Sequence, residues 1–285
     1  MRSLVLRSPA KLNLFLKVIN KRPDGYHNLI TLFERIDLMD EIRLSATAGG
    51  KIRIFCGHPQ VPKGPQNLVF RVAALLQKRY EIGQGVDIHI QKCIPVAAGL
   101  AGGSSNAATT LLGLNKIWRL GLKSLELCQI GRMIGSDVPF FLRDTSWALG
   151  LERGDVIVPQ DIRTKLWQIL VVPRRKMLTP QVYRRLNLEL TKTNDDVNIL
   201  IRSLKENNIK RAKRLLTNDL ETSIVRICPQ LLYVKRRFET LLGDGVCFSG
   251  SGPSVYGVVE SREEAEAAQA VLSKQYSRVF VVRTL

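Results

Sequence analysis

Between Pro95 and Ala108 the chain reads PVAAGLAGGSSNAA, the stretch whose residue types speak most directly of chemistry. Gly99, Gly102 and Gly103 free the main chain of Cβ atoms where a strand-like segment, Val86 to Gln91, gives way to a helix-like one, Ser104 to Trp118. The first N–H groups of a helix have no internal partner. With the helix dipole they present partial positive charge to any anion that small residues allow to approach. The chemistry suggested is phosphate binding, with glycine giving the approach and serine the cap. A tight crossover packed under a sheet has the same composition, and spacing alone does not separate the two. No lysine follows the glycines as in GxxxxGK[ST], and GxGxxG is absent, so the loop is neither a Walker A loop nor a dinucleotide fingerprint. What remains is a lysine-free loop relying on backbone amides and the hydroxyls of Ser104 and Ser105.

Polar groups are also set against apolar ones near the start of the chain. In KLNLFLKV, Leu12, Leu14, Leu16 and Val18 alternate with Lys11, Asn13, Phe15 and Lys17. This period of two predicts a strand with Lys11 and Asn13 on one face, roughly 7 Å apart, turned away from the leucines. An edge strand with a solvated face reads the same way. In GSDVPFFL, Asp137 follows a helix end and precedes Pro139, a place where aspartate often serves as a turn or cap residue.

The elements that must position these groups follow from local pattern. Strand-like pieces are expected at Glu41 to Leu44 and Lys51 to Phe55, and a helix from Asn67 to Tyr80. Ser124 is expected to cap a helix that ends at Gly135. Ser146 to Val158 reads as strand-rich, and Leu166 to Val172 as a further strand. Short helices then begin with Thr179 as N-cap and Pro180 as N1, and continue at Asn198 to Leu204, Lys210 to Leu216 and Pro229 to Leu242. Strands at Gly245 to Phe248, Val255 to Val259 and Ser277 to Val282, with a helix at Arg262 to Ser273, make the second half α+β. A boundary falls near residues 160 to 165, dividing the chain into 1–162 and 163–285.

Length and composition fit an ordinary globular protein: 285 residues, 45% of them apolar, can bury a substantial core. No apolar run approaches the roughly 20 residues needed to span a bilayer, and the amino end passes into strand-like alternation without a cleavage site. A cytoplasmic location and no membrane partner are expected. The cysteines, Cys56, Cys93, Cys128, Cys228 and Cys247, are scattered without CxxC pairing and read as reduced, mostly core thiols. The formal net charge of +18 suits nucleic acid, an acidic membrane surface or a phosphorylated small molecule. Basic residues are dense from Arg174 to Arg214, yet no aromatic residues interleave there as single-strand binding requires. Ile209, Ala212, Leu215 and Leu216 form an apolar stripe, which makes Lys210, Arg211, Lys213 and Arg214 its solvated face.

Taken in order, SPAKLNLF, PVAAGLAGGSSNAA and FSGSGPSVYG resemble the three motifs of the GHMP small-molecule kinases. The order is more specific than any one loop, and the resemblance runs from Ser8 to about Gly257. Within that family RPDGYHNL, GSDVPFFL and NDLE are similar to the branch whose substrate is a cytidine diphosphate-linked methylerythritol. The resemblance implies a two-domain α+β fold. Its amino-terminal domain would be of the ribosomal-protein-S5-domain-2 type and its carboxy-terminal domain ferredoxin-like, with ATP and a small-molecule substrate in the cleft between them. No nucleic-acid partner is implied, and the chain is expected to act as a monomer or weak homodimer.

The resemblance also distributes roles. Asp137 matches the family's base and Lys11 its electrostatic partner, with Asn13 as an orienting group. Tyr26 and Tyr183 fall where the family clamps the cytosine ring, His27 where it reads the base edge, and Thr179 nearby. The bland alternative for DGYH is a turn carrying a partly buried Tyr and His. On the ATP side stand Pro95, Val96, Ala97, Ala98, Gly99, Leu100, Ala101, Gly102, Gly103, Ser104 and Ser105, with Asn67 and Lys92 near the adenine. Magnesium should accompany ATP, with Ser105 as its ligand. Ala97, Ala98 and Ala101 replace glycines found in some relatives, so they are expected at φ values that alanine tolerates. The alternatives are a mevalonate- or homoserine-type kinase of the same family, or a basic nucleic-acid-binding protein.

Overall fold

The computed structural model describes residues 3–186 and 195–285. The chain begins with β1 (Ser3–Lys21), β2 (His27–Thr47), β3 (Ile52–Cys56), α1 (Leu68–Arg79), β4 (Gly85–Gln91), α2 (Gly102–Ile117), α3 (Ser124–Ile134) and α4 (Val138–Leu142). It continues with β5 (Trp147–Leu151), β6 (Val156–Pro159), β7 (Trp167–Val171), α5 (Thr179–Arg184), α6 (Asp195–Lys205) and α7 (Ile209–Lys213). The last elements are β8 (Thr217–Asn218), α8 (Glu221–Ile227), α9 (Gln230–Leu242), β9 (Val246–Phe248), β10 (Val255–Val259), α10 (Arg262–Leu272) and β11 (Val279–Arg283). Contacts divide the chain into two compact units. One comprises Met1–Ala10, Leu38–Val96 and Ala101–Asp144, the other Lys11–Asp37, Ala97–Leu100 and Thr145–Leu285.

In the first unit β4 pairs antiparallel with the end of β2, Leu44 opposite Ile88, and parallel with β3, Ile54 opposite Ile88. Alternation puts Leu44, Ile88 and Ile54 on the buried face. Helix α1 begins where the sequence indicates: the Asn67 side chain accepts from the Val69 amide at 3.0 Å. Lys78 and Arg79 sit favourably at its C-terminus. Val69, Val72, Ala73 and Leu76, spaced i, i+3, i+4 and i+7, form its buried face. Each of the larger three contributes about 1.5–3 kcal/mol on burial. Gly113 of α2 packs so tightly that a Cβ there would lie 2.3 Å from Leu44 Cδ1. Two expected starts move. Helix α2 begins at Gly102, with Ala101 as N-cap and no side-chain cap, and α3 is capped by Lys123, whose amide donates to Glu126 Oε2 at 3.0 Å. Gly135 ends α3 as expected.

The second unit holds the antiparallel sheet β11-β7-β10-β9, with Val171 of β7 between Val279 and Val255. Its core joins Ile169, Val171, Phe248 and Val255 of that sheet to Leu16 and Val18 of β1 and to Val182, Ile224 and Phe238 of the helices. Gly257 lets α9 approach, since a Cβ there would meet Leu242 Cδ1 at 2.4 Å. Ser261 caps α10 by accepting from the Glu264 amide. Helix α5 starts at Thr179 with Leu178 as N-cap, one residue earlier than Thr179 as cap. Lys210, Arg211 and Arg214 are exposed beside buried Ala212, as a solvated face requires; 187–194 of the basic stretch lie outside the described residues. Cys56, Cys128, Cys228 and Cys247 are buried and Cys93 is exposed. Among the described residues no helix is long and apolar enough to cross a membrane.

Candidate active site

The face of β1 bearing Lys11 and Asn13 is not solvated: they are 4% and 3% exposed. The edge-strand alternative therefore falls. The Lys11 ammonium donates to Asn13 Oδ1 and, at 3.0 Å, to the Gly99 carbonyl. Its main-chain N–H donates to Leu100 O at 3.2 Å. Ser249 Oγ also donates to Gly99 O, at 3.0 Å, and Ser254 Oγ to Ala98 O at 2.5 Å. The third glycine-rich motif thus grips Ala97–Leu100. A Cβ at Gly99 would lie 2.1 Å from Ser249 O, so only glycine fits there. At Gly250 a Cβ would lie 3.1 Å from Asn13 Oδ1 and 3.2 Å from Lys11 Nζ. Asn218 of the NDLE segment donates to Phe248 O and Gly250 O at 2.9 and 2.8 Å, bracing the same turn. Tyr256, fully buried, donates to Asn13 O at 2.9 Å.

The second unit also carries the aromatic residues. Arg22 to Tyr26 form the turn, with Gly25 at φ +84°, and His27 begins β2. The His27 and Tyr183 rings lie 5.2 Å apart, centre to centre, inclined by 32°. Burial, assisted by the charge of Lys21, holds His27 below the usual imidazole range. At neutral pH the ring is thus uncharged, with one nitrogen donating and the other accepting, which suits the edge of a neutral heterocycle. Tyr26 is exposed, with the Arg153 guanidinium 5.1 Å from its ring centre. The hydroxyl of Thr179, on the same short helix as Tyr183, pairs with Ser251 Oγ at 2.9 Å.

In the first unit the loop hangs from a residue that no motif announces. Asp40 Oδ1 accepts from the amides of Cys93 and Ile94 at 2.7 and 2.8 Å. Its Oδ2 accepts from Lys92 Nζ at 2.6 Å and Asn106 Nδ2 at 2.8 Å. Asn106 also donates to Ser8 Oγ, which pairs with Ser105 Oγ at 2.8 Å. Lys92 additionally donates to Ile94 O, and burial draws its pKa down against the pull of Asp40. Lys92 and Ser105 are therefore engaged in support of the loop. Gly102 approaches Lys92 so closely that a Cβ would lie 3.0 Å from Nζ, while Gly103 faces open space. The amides of Gly102, Gly103 and Ser104 open α2 without a side-chain cap. Ser104 Oγ lies 3.9 Å from where a Gly135 Cβ would stand, and half-buried Asp137 follows as N-cap of α4. Asn67 is occupied in capping α1 and in donating to Pro62 O at 2.7 Å.

One expectation is corrected here. Ala97 and Ala101 both stand at φ +53°, in the left-handed region, where an L-residue is strained by about 1–2 kcal/mol. These alanines are held there by their surroundings. Sequence reasoning missed Ser8, Thr31, Asp40, Asn106, Ser249 and Ser254, all buried polar residues with partners far along the chain.

Comparison with known proteins places the chain in a narrow neighbourhood. Residues 67–144 match the GHMP kinases N terminal domain and residues 200–278 the GHMP kinases C terminal domain. A 4-diphosphocytidyl-2-C-methyl-D-erythritol kinase of Geobacillus kaustophilus is 41% identical over 283 residues, covering 99% of this chain and 97% of that protein. One of Geobacter metallireducens is 39% identical, with both chains fully covered. A solved structure of 4-(cytidine 5'-diphospho)-2C-methyl-D-erythritol kinase superposes with a TM-score of 0.84 at 31% identity, covering 99% of this chain and 100% of that one. A homoserine kinase structure from Cytophaga hutchinsonii, 18% identical, reaches a TM-score of 0.78 over 100% of this chain and 95% of its own, and shares the fold.

Proposed function

Because the chain belongs to the GHMP kinases, a family that takes ATP as co-substrate, we propose that it phosphorylates the 2-hydroxyl of 4-diphosphocytidyl-2-C-methyl-D-erythritol. The products are the 2-phosphate and ADP, in the non-mevalonate route to isoprenoid precursors. The observation that favours this substrate is the uncharged His27 paired with the Tyr183 ring, a combination suited to a flat base with a hydrogen-bonding edge. Tyr26 is the second aromatic clamp and Thr179 a further substrate contact. We place the family-type domains at 1–162 and 163–285, and read the chain as a cytoplasmic monomer or weak homodimer without a nucleic-acid partner.

In the reaction Asp137 takes the proton of the 2-hydroxyl as its oxygen attacks the γ-phosphorus in line, and the bond from that phosphorus to the β–γ bridging oxygen breaks to release ADP. Lys11 opposes negative charge growing on the attacking oxygen, and Asn13 orients the ammonium. Backbone N–H groups of Pro95 to Ser105, other than proline's, cradle the triphosphate, with Asn67 and Lys92 towards the adenine. Magnesium is expected to enter with ATP. Ser105, whose hydroxyl pairs with Ser8 and keeps a lone pair, is the residue we read as its ligand; no three His, Cys, Asp or Glu converge among the described residues.

A kinase assay with ATP and a panel of alcohols tests the reading. Turnover of the cytidine substrate at a kcat/KM at least 100-fold above mevalonate and homoserine is expected; a preference for mevalonate or homoserine would overturn it.

A further inference from the structure

The Lys11 ammonium can only donate, so the atom of Asn13 that faces it is the carbonyl oxygen, and the amide nitrogen is turned the other way. There Thr31 Oγ1 receives Asn13 Nδ2 at 2.7 Å. The single proton of the Thr31 hydroxyl goes to Phe15 O at 2.6 Å. With that proton spent on a carbonyl, Oγ1 can meet Asn13 only as an acceptor. Every member of the chain thus has one permitted direction: Lys11 donates to Asn13, Asn13 to Thr31, Thr31 to Phe15. Turning the carboxamide by half a rotation would set donor against donor at Lys11. All four residues are 4% exposed or less, so no bulk water stands ready to replace a lost bond.

The direction of the Thr31 hydroxyl is itself enforced. Threonine is β-branched and stiff at χ1, and Thr31 lies opposite Gly150 in the β2–β5 ladder. A Cβ at Gly150 would stand 2.9 Å from Thr31 Cγ2 and 2.4 Å from Phe33 Cε2. Gly150 therefore makes room for the methyl group of Thr31 and the ring of Phe33. That ring lies with its centre 5.7 Å from Lys11 Nζ.

We propose that Thr31 is a positioning residue for phosphoryl transfer: its hydroxyl locks the Asn13 carboxamide, which aims the Lys11 ammonium. The proposal rests on the role given to Lys11 above. Thr31 touches no reacting atom and acts only through Asn13. Valine has the same branched shape but no acceptor, so Thr31→Val frees the carboxamide while keeping the packing against Gly150.

Steady-state kinetics with the cytidine substrate and ATP on Thr31→Val, Thr31→Ser and Lys11→Ala tests this. Thr31→Val should lower kcat about 10- to 100-fold, with both KM values within about threefold of wild type. Thr31→Ser, which retains the hydroxyl, should recover kcat to within about threefold. Wild-type kcat in the valine variant, a loss carried by KM, or a serine variant as slow as the valine one would overturn the proposal. Thr31→Ala gives the same reading should the valine variant not fold. If Lys11→Ala keeps wild-type kcat, the reading of Lys11 fails; if it is inactive while Thr31→Val is not, only the proposal for Thr31 fails.

Discussion

In the first unit Asp40 supports the candidate loop with both oxygens occupied, accepting four N–H donors of which one is the ammonium of Lys92. In the second unit the fully buried Glu34 receives Gln168 Nε2 at 2.6 Å and Thr284 Oγ1 at 2.5 Å on one oxygen, while the other oxygen has no partner among the described residues. Burial is the main cause of the Glu34 pKa rising to about 8; the donors of Thr284 and Gln168 oppose the rise and Asp37 adds to it. Gln168 Oε1 also lacks a partner among the described residues, which is the arrangement a neutral acid or amide at position 34 would complete. Two carboxyl groups equally out of water therefore differ by their donors. One is a saturated anchor with a cation, the other a group that retains its proton into the neutral range.

The most damaging way to break that contrast is Asp40→Asn. Whichever way the amide turned, its NH2 would face donors, either the backbone N–H groups or Lys92 and Asn106, and the buried Lys92 would lose its counter-charge, at a cost of about 3–5 kcal/mol of stability. Urea unfolding at pH 7 measures it, and a loss below about 1 kcal/mol would deny Asp40 its anchoring role. Asp137 sharpens the comparison from another side, as a half-buried carboxylate proposed for reaction and not for support. Asp137→Asn should lower kcat about 100-fold or more, with KM and the melting temperature nearly unchanged. Unchanged turnover would remove it from the base's role.

Glu34 yields a pH dependence. As pH rises through about 4.5 the unfolded chain releases this proton, while the folded chain keeps it until about 8. Stability contributed by the group is full below the lower value and falls by about 1.4 kcal/mol per pH unit across that window, then levels off. Glu34→Gln should remove this slope and be more stable than wild type at pH 8. Parallel unfolding curves at pH 5 and pH 8 for both proteins would contradict the assignment. The smallest effect is expected at Asn67, where Ala removes a neutral cap and an exposed bond to Pro62 O and should cost about 1 kcal/mol. A rise in KM for ATP beyond that loss would separate an adenine contact from capping.

Much of this was legible in residues that are close in sequence. The helix from Asn67 to Tyr80, the stop at Gly135, and the shared face of Lys11 and Asn13 all follow from spacing over a few residues. The strand expected only from Glu41 to Leu44 instead runs from His27 to Thr47. Its middle is buried on both faces and loses the alternation that signals a strand. The cap expected of serine in the glycine loop also failed, because the helix begins at Gly102 with Ala101 at the N-cap, which leaves Ser104 and Ser105 inside its first turn.

The sequence by itself therefore determined the family, through three motifs in order, and the identities of the groups available for chemistry. Tertiary structure decided what each of those groups touches. Ser105 pairs with Ser8, Lys92 with Asp40 and Asn13 with Thr31, while Ala97 and Ala101 were held left-handed. The physical reason is the same in each case. Backbone preference acts over one turn or one pleat, whereas a buried donor is satisfied only by whatever acceptor the register of distant strands brings within about 3 Å of it.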